Sequence, residues 1–198
     1  MVLPKSALGA NARGMKLNRK SGYLSNARAA EGDLDPRMTS DSLSRGGRLF
    51  GYARVYRLGE SEFEDDVLGG AGLVQTGTQV DLYRDKAAAS HHMQTSVNDL
   101  RALVGKPIKH GATLERASTF NVERIADGAI GARFAVRIEG LNVYYTEVAF
   151  RRNGLLAGVF EVRADAKNVD ATIDSVAKAL DKRISRVLSA RMRQMGTR

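Results

Sequence analysis

The chain has no cysteine and no tryptophan, and only three prolines and three histidines among 198 residues. Without thiols there is no disulfide framework, thiolate zinc site, cysteine nucleophile or iron–sulfur cluster. His91, His92 and His110 are too few and too scattered to favour triads or metal cages. No apolar run approaches the roughly 18–20 residues that a membrane helix needs, so an integral helical membrane protein is not expected. No cationic stretch leads into an apolar core behind Met1. Two expectations follow: a protein of the cell envelope or exterior whose leader has been removed, or a cytoplasmic protein.

What remains is ordinary globular material. Hydrophobic residues make up 43% and charged residues 27% of the chain, which argues against wholesale disorder and for one domain. The net charge of +9 is unevenly placed. Lys5, Arg13, Lys16, Arg19, Lys20 and Arg28 meet no acid in the first 30 residues, and Lys178, Lys182, Arg183, Arg186, Arg191, Arg193 and Arg198 meet only Asp181 at the other end. The body between them is mildly acidic, so the local field is strong only near the two ends.

Residues 1–47 are rich in Gly, Ser, Asn, Arg and Ala and read as an irregular basic arm packed on the body. A short helical turn within 6–17 could bury Ala7, Leu8, Ala12, Met15 and Leu17, although Gly9 and Gly14 weaken it by about 1 kcal/mol each. Residues 48–190 read as one domain. Strands are expected over 49–58, 73–83, 119–124, 132–139, 143–150 and 155–163 from their apolar alternation and β-branched content. Asn153-Gly154 predicts a type I′ hairpin turn.

Asp85 is placed to cap a helix whose buried stripe is Ala88, Ala89, His92, Met93, Val97, Leu100 and Leu103, ended by Gly105 and Pro107. A long C-terminal amphipathic helix carries Val169, Ile173, Val176, Leu180, Ile184, Val187 and Leu188 on one stripe. A basic tail is expected from 191 to 198. Hairpin-linked strands with two apolar-striped helices define an α+β fold, a mainly antiparallel sheet of five to six strands with helices packed on it.

Three segments carry a family likeness: Gly47-Arg48-Leu49-Phe50-Gly51-Tyr52, Val80-Asp81-Leu82-Tyr83-Arg84-Asp85, and the run from Val176 through Ile184. In these the chain resembles exported bacterial domains with a PsbP-like α+β fold, over roughly residues 45–190. The resemblance implies a secreted or lipid-anchored binding or accessory module without known catalysis.

Constellations that could carry chemistry favour plain readings. His91 and His92 project about 100° apart on a helix and cannot readily share one ion, so His92 is read as half-buried and His91 as solvated. Glu60, Glu62, Glu64, Asp65 and Asp66 lack the ordered ligand spacing of a calcium loop. Gly69, Gly70 and Gly72 precede a strand, whereas phosphate loops follow one. Asp81, Glu139, Glu147 and Glu161 are carboxylates on expected strands, and Glu147 and Glu161 are read as facing solvent. Tyr52, Tyr56, Tyr83, Tyr144 and Tyr145 are read mainly as core.

No catalytic residue, metal site or cofactor is expected. The leading functional reading is a non-catalytic exported binding or assembly module for a protein or a small apolar or sugar ligand. The alternative is a cationic protein docking on a polyanion, nucleic acid, acidic wall polymer or anionic lipid, through Arg13, Lys16, Arg19, Lys20, Lys182, Arg183, Arg186, Arg191 and Arg193.

Overall fold

The computed structural model describes residues 1–9, 12, 14–59, 72–167 and 169–195. Among these, eight strands make one antiparallel sheet: β1 (Lys16–Leu17), β2 (Gly22–Leu24), β3 (Arg48–Arg57), β4 (Leu73–Tyr83), β5 (Thr113–Phe120), β6 (Ala129–Ile138), β7 (Leu141–Arg152) and β8 (Leu155–Arg163). The α-helices are α1 (Asn26–Gly32), α2 (Ser40–Arg45), α3 (Lys86–Arg101) and α4 (Asp170–Met195). The lateral order is β1-β3-β4-β8-β7-β6-β5, with β2 also paired to β3. The fold is therefore α+β with a long C-terminal helix. Its six long strands meet the expected five to six, and the arm adds the short β1 and β2 to the outer edge of β3.

The chain reaches this order in one excursion. From β4 it passes through α3 to the far edge, lays down β5, and returns as a meander whose last strand, β8, lands against β4. Asp85 caps α3 as its position predicts, its carboxylate accepting from the Ala88 N–H at 2.7 Å. The Asn153-Gly154 hairpin forms, but only Asn153 takes a left-handed φ (52°). The paired positive φ values of a type I′ turn occur instead at Glu139 (51°) and Gly140 (85°), between β6 and β7. Strand β5 lies at 113–120 rather than 119–124. As an edge strand with a register shift between Leu114 and Arg116, it buries few residues and gives little alternation to read.

One face of the sheet packs α4 and the N-terminal segment. Val148, Phe150 and Val159 meet Ile173, Leu180 and Ile184, and Val2, Leu3, Leu8, Ala12 and Met15 complete this core. The Leu3 N–H donates to Thr78 Oγ1 at 3.1 Å, so the chain start is tied to the sheet's centre. Leu17 and Val187, expected in buried stripes, are exposed. Helix α4 continues to Met195, and residues 191–194 of the expected tail are helical and exposed.

The opposite face packs α3, through Ala88, Ala89 and Val97, and the arm helices. A second apolar cluster there joins Leu103, Ile108 and Leu114 to Phe134 and Val136. With both faces covered, period-two alternation no longer separates core from solvent. Glu161 is accordingly buried, and Glu147 is half-buried beneath the helical layer, lining a cavity, where the alternation had suggested solvent-facing side chains.

Candidate functional site

The face that packs α3 and α1 carries polar residues on three neighbouring strands. On β4, Gln75, Gln79 and Asp81 recur at period two and so share one face. Glu147 of β7 and Phe160 of β8 are register partners, as are Gln79 and Gly158. Between this face and the helices runs a cleft of two adjoining cavities, about 500 Å³ and 210 Å³. Asp33, Gln79, Leu100, Glu147 and Phe160 line both.

Glu147 stands at the centre of the cleft without a hydrogen-bond or ion-pair partner among the described residues. Its room comes from the neighbouring strand: a Cβ at Gly158 would sit 3.0 Å from Glu147 Oε1. Burial pushes its carboxyl pKa up to about 7, with the nearby charges of Asp33 and Asp81 adding to the effect. Asp33 ends α1 and accepts from the Asp35 N–H at 2.8 Å. Burial raises its pKa as well. On the far wall Tyr145 stacks on Phe134, ring centroids 4.8 Å apart.

A buried network fixes the floor. Arg48 Nη2 donates to Asp81 Oδ1 at 2.7 Å, Arg48 Nη1 donates to Asn26 Oδ1 at 2.6 Å, and Gln79 Nε2 donates to Asp81 Oδ2 at 2.7 Å. Gln79 thereby directs its amide nitrogen at Asp81 and keeps its carbonyl oxygen as the acceptor on offer. The Arg48–Asp81 pair has room because residue 51 is glycine: a Cβ there would come within 1.9 Å of Asp81 Oδ1. His92 lines the smaller cavity and lies 5.4 Å from the Tyr83 ring, and burial lowers its pKa. His91 is exposed. Among the described residues no group of three His, Cys, Asp or Glu could hold a metal ion. The cleft is thus rich in acceptors and walled by aromatic rings, and suits a small polar molecule that brings hydrogen-bond donors.

Apart from Lys20, which lines the larger cavity, the described cations singled out in the sequence lie elsewhere. Arg13 and the acids from Glu60 to Asp66 fall outside the described residues. Lys16, Arg19 and Lys20 lie at the β1–β2 edge, where Lys20 pairs with Glu31 at 3.6 Å. Lys182, Arg183, Arg186, Arg191 and Arg193 are exposed on α4, which crosses a sheet face. Tyr56 and Tyr83 are buried as expected, whereas Tyr52 is 45% exposed. Asp33, Gln75 and Gln79 were not anticipated from the sequence. The signal for the two glutamines was the polar period-two row on β4; none marked Asp33, which enters only because the arm folds over the sheet.

The chain is an α+β domain whose antiparallel sheet encloses a polar cleft under helical cover. Among solved structures it is similar to the extracellular domain of PknH from Mycobacterium tuberculosis, at 12% identity and a TM-score of 0.56, over 92% of this chain and 93% of that one. At that identity the shared property is the fold. No protein-family model matches the sequence, and no curated protein matches it. No helix among the described residues is long and apolar enough to cross a membrane.

Proposed function

We propose that this chain is a non-catalytic, exported binding module that takes a small donor-rich polar molecule, an amine or a polyol, into the cleft between the sheet and α1/α3. The observation that carries the reading is Glu147: a carboxylate placed where desolvation costs free energy, with no cation or donor among the described residues bonded to it. A ligand donor supplies the missing partner. Asp33 and the Gln79 carbonyl add acceptors, and the stacked Tyr145 and Phe134 offer an apolar wall for the ligand's carbon skeleton. Export is supported by the fold likeness to an extracellular domain and by the PsbP-like pattern of the strand-to-helix segments.

The test is an NMR screen of small amines and sugars against the isotope-labelled chain. Hits are expected to shift the resonances of Gln79, Glu147 and Phe160, and to lose affinity in Glu147→Gln. A screen whose hits leave the cleft unperturbed would sink the proposal. A second reading is favoured by the row of exposed cations on α4: this helix docks on a polyanion.

A further inference from the structure

Three aromatic rings gather around Glu147 in the cleft. Phe160 of β8 is its direct register partner, and Tyr145, two residues before it on β7, shares its face. Phe134 of β6 is the register partner of Tyr145 and stacks on its ring, the planes 11° apart. All three rings and Glu147 line the larger cavity. Two glycines make the room: a Cβ at Gly77 would lie 2.9 Å from Phe160 Cζ, and one at Gly158 would lie 3.0 Å from Glu147 Oε1. Tyr145, Glu147 and Phe160 are each half-buried, so each keeps surface for a ligand to cover.

The electrostatics of this arrangement ask for positive charge. The charges acting on Glu147 are those of Asp33 and Asp81, both of its own sign. Arg48 is engaged by Asp81 at 2.7 Å. Lys20 and Arg28 also line the larger cavity, but Lys20 pairs with Glu31 at 3.6 Å, and Arg28 donates to the carbonyls of Tyr23 and Lys20 at 2.6 and 2.7 Å. Burial raises the pKa of Tyr145, so its ring stays neutral. An aromatic face is negative at its centre and attracts the alkyl groups of an ammonium ion, which share the positive charge. A sugar can lay its C–H face on the same rings, but it leaves the carboxylate without a counter-charge.

We infer that the cleft takes a protonated amine bearing small alkyl groups, its N–H donating to the Glu147 carboxylate and its alkyl groups lying on the faces of Phe160, Tyr145 and Phe134. This choice of the amine over the polyol rests on the cleft being a binding site, as proposed above. The carboxylate supplies the charge contact and the rings supply the preference for alkylated over bare ammonium, so the two contributions can be removed one at a time.

Calorimetric and NMR titrations at pH 8 with N,N-dimethylaminoethanol, its uncharged isostere 3-methylbutan-1-ol, ethanolamine and glycerol test it. At this pH the Glu147 carboxyl, with a pKa of about 7, is mostly ionised and the amines are protonated. Dimethylaminoethanol is expected to bind tightest, the isostere and ethanolamine each about tenfold more weakly, and glycerol weakest. Glu147→Gln is expected to bring dimethylaminoethanol down to the level of its isostere. Phe160→Leu is expected to weaken dimethylaminoethanol about tenfold and to leave ethanolamine unchanged, which also shows that the variant is folded. The inference is overturned if the isostere or ethanolamine binds as tightly as dimethylaminoethanol, or if glycerol binds best; shifts at Gln79, Glu147 and Phe160 that depend on Glu147 would then still support the cleft as a binding site. It is equally overturned if none of the four perturbs the cleft at millimolar concentration, and the wider screen of amines and sugars then decides the cleft separately.

Discussion

Glu147 holds a proton in the folded state at a pH where it has lost it in the unfolded chain, since burial moves its pKa from 4.5 to about 7. Between those values the folded state binds more protons, so the stability linked to this group is full below pH 4.5 and falls as pH rises through 7. The loss is on the order of 3 kcal/mol. His92 works the other way: its lowered pKa makes the unfolded state bind the proton more readily, so stability from that group rises with pH in the region below 6.5. The difference between native and Glu147→Gln denaturant midpoints from pH 5 to 8 isolates the glutamate, and a flat difference would refute the assignment. The Arg48–Asp81 pair makes a second case. Asp81→Ala leaves a guanidinium buried without its charge partner and is expected to cost ~3–5 kcal/mol in urea titration. Replacing both residues by apolar ones is expected to cost less than that single change.

Among the elements, α4 is the one whose role a single substitution decides. Leu180 and Ile184 are fully buried against the sheet, and Leu180→Ala is expected to cost about 2–5 kcal/mol in denaturant titration. Arg186, exposed on the other side of the same helix, is expected to change stability by less than about 0.5 kcal/mol when replaced by Ala. A neutral Leu180→Ala would mean that the stripe is free for a partner. If α4 docks on a polyanion, affinity for heparin falls steeply with salt and drops again when residues 190–198 are removed. Salt-insensitive retention would end that reading.

At the scale of the molecule, the sheet runs without a break from β1 to β5 and is clad on both faces, so the cores share strands and unfolding is expected to be one cooperative transition. No metal-binding cluster is found among the described residues, and thermal unfolding with and without a strong chelator is expected to superimpose. A drop in the midpoint with chelator would point to a metal that the chain needs for folding.

The sequence by itself determined most elements of the body from β3 onward, where local chemistry is enough, but not those of the arm, which it read as irregular and which holds α1 and α2 as well as β1 and β2. Apolar alternation marks β4 and β6, Asp85 caps α3, Asn-Gly joins β7 to β8, and a 3.6-residue stripe makes α4. Those signals are read from neighbours in the chain. The arm's β1 and β2 carried none, since two- and three-residue strands exist only through hydrogen bonds to β3. The cleft was equally out of reach. Glu147 looks like a solvent-facing residue among apolar neighbours until α1 and α3 are laid over its face, and Asp33 joins it only because α1 ends there. Tertiary structure decided the cleft, because a site is set by which faces are covered and which strands are neighbours, and neither is a property of any local stretch of chain.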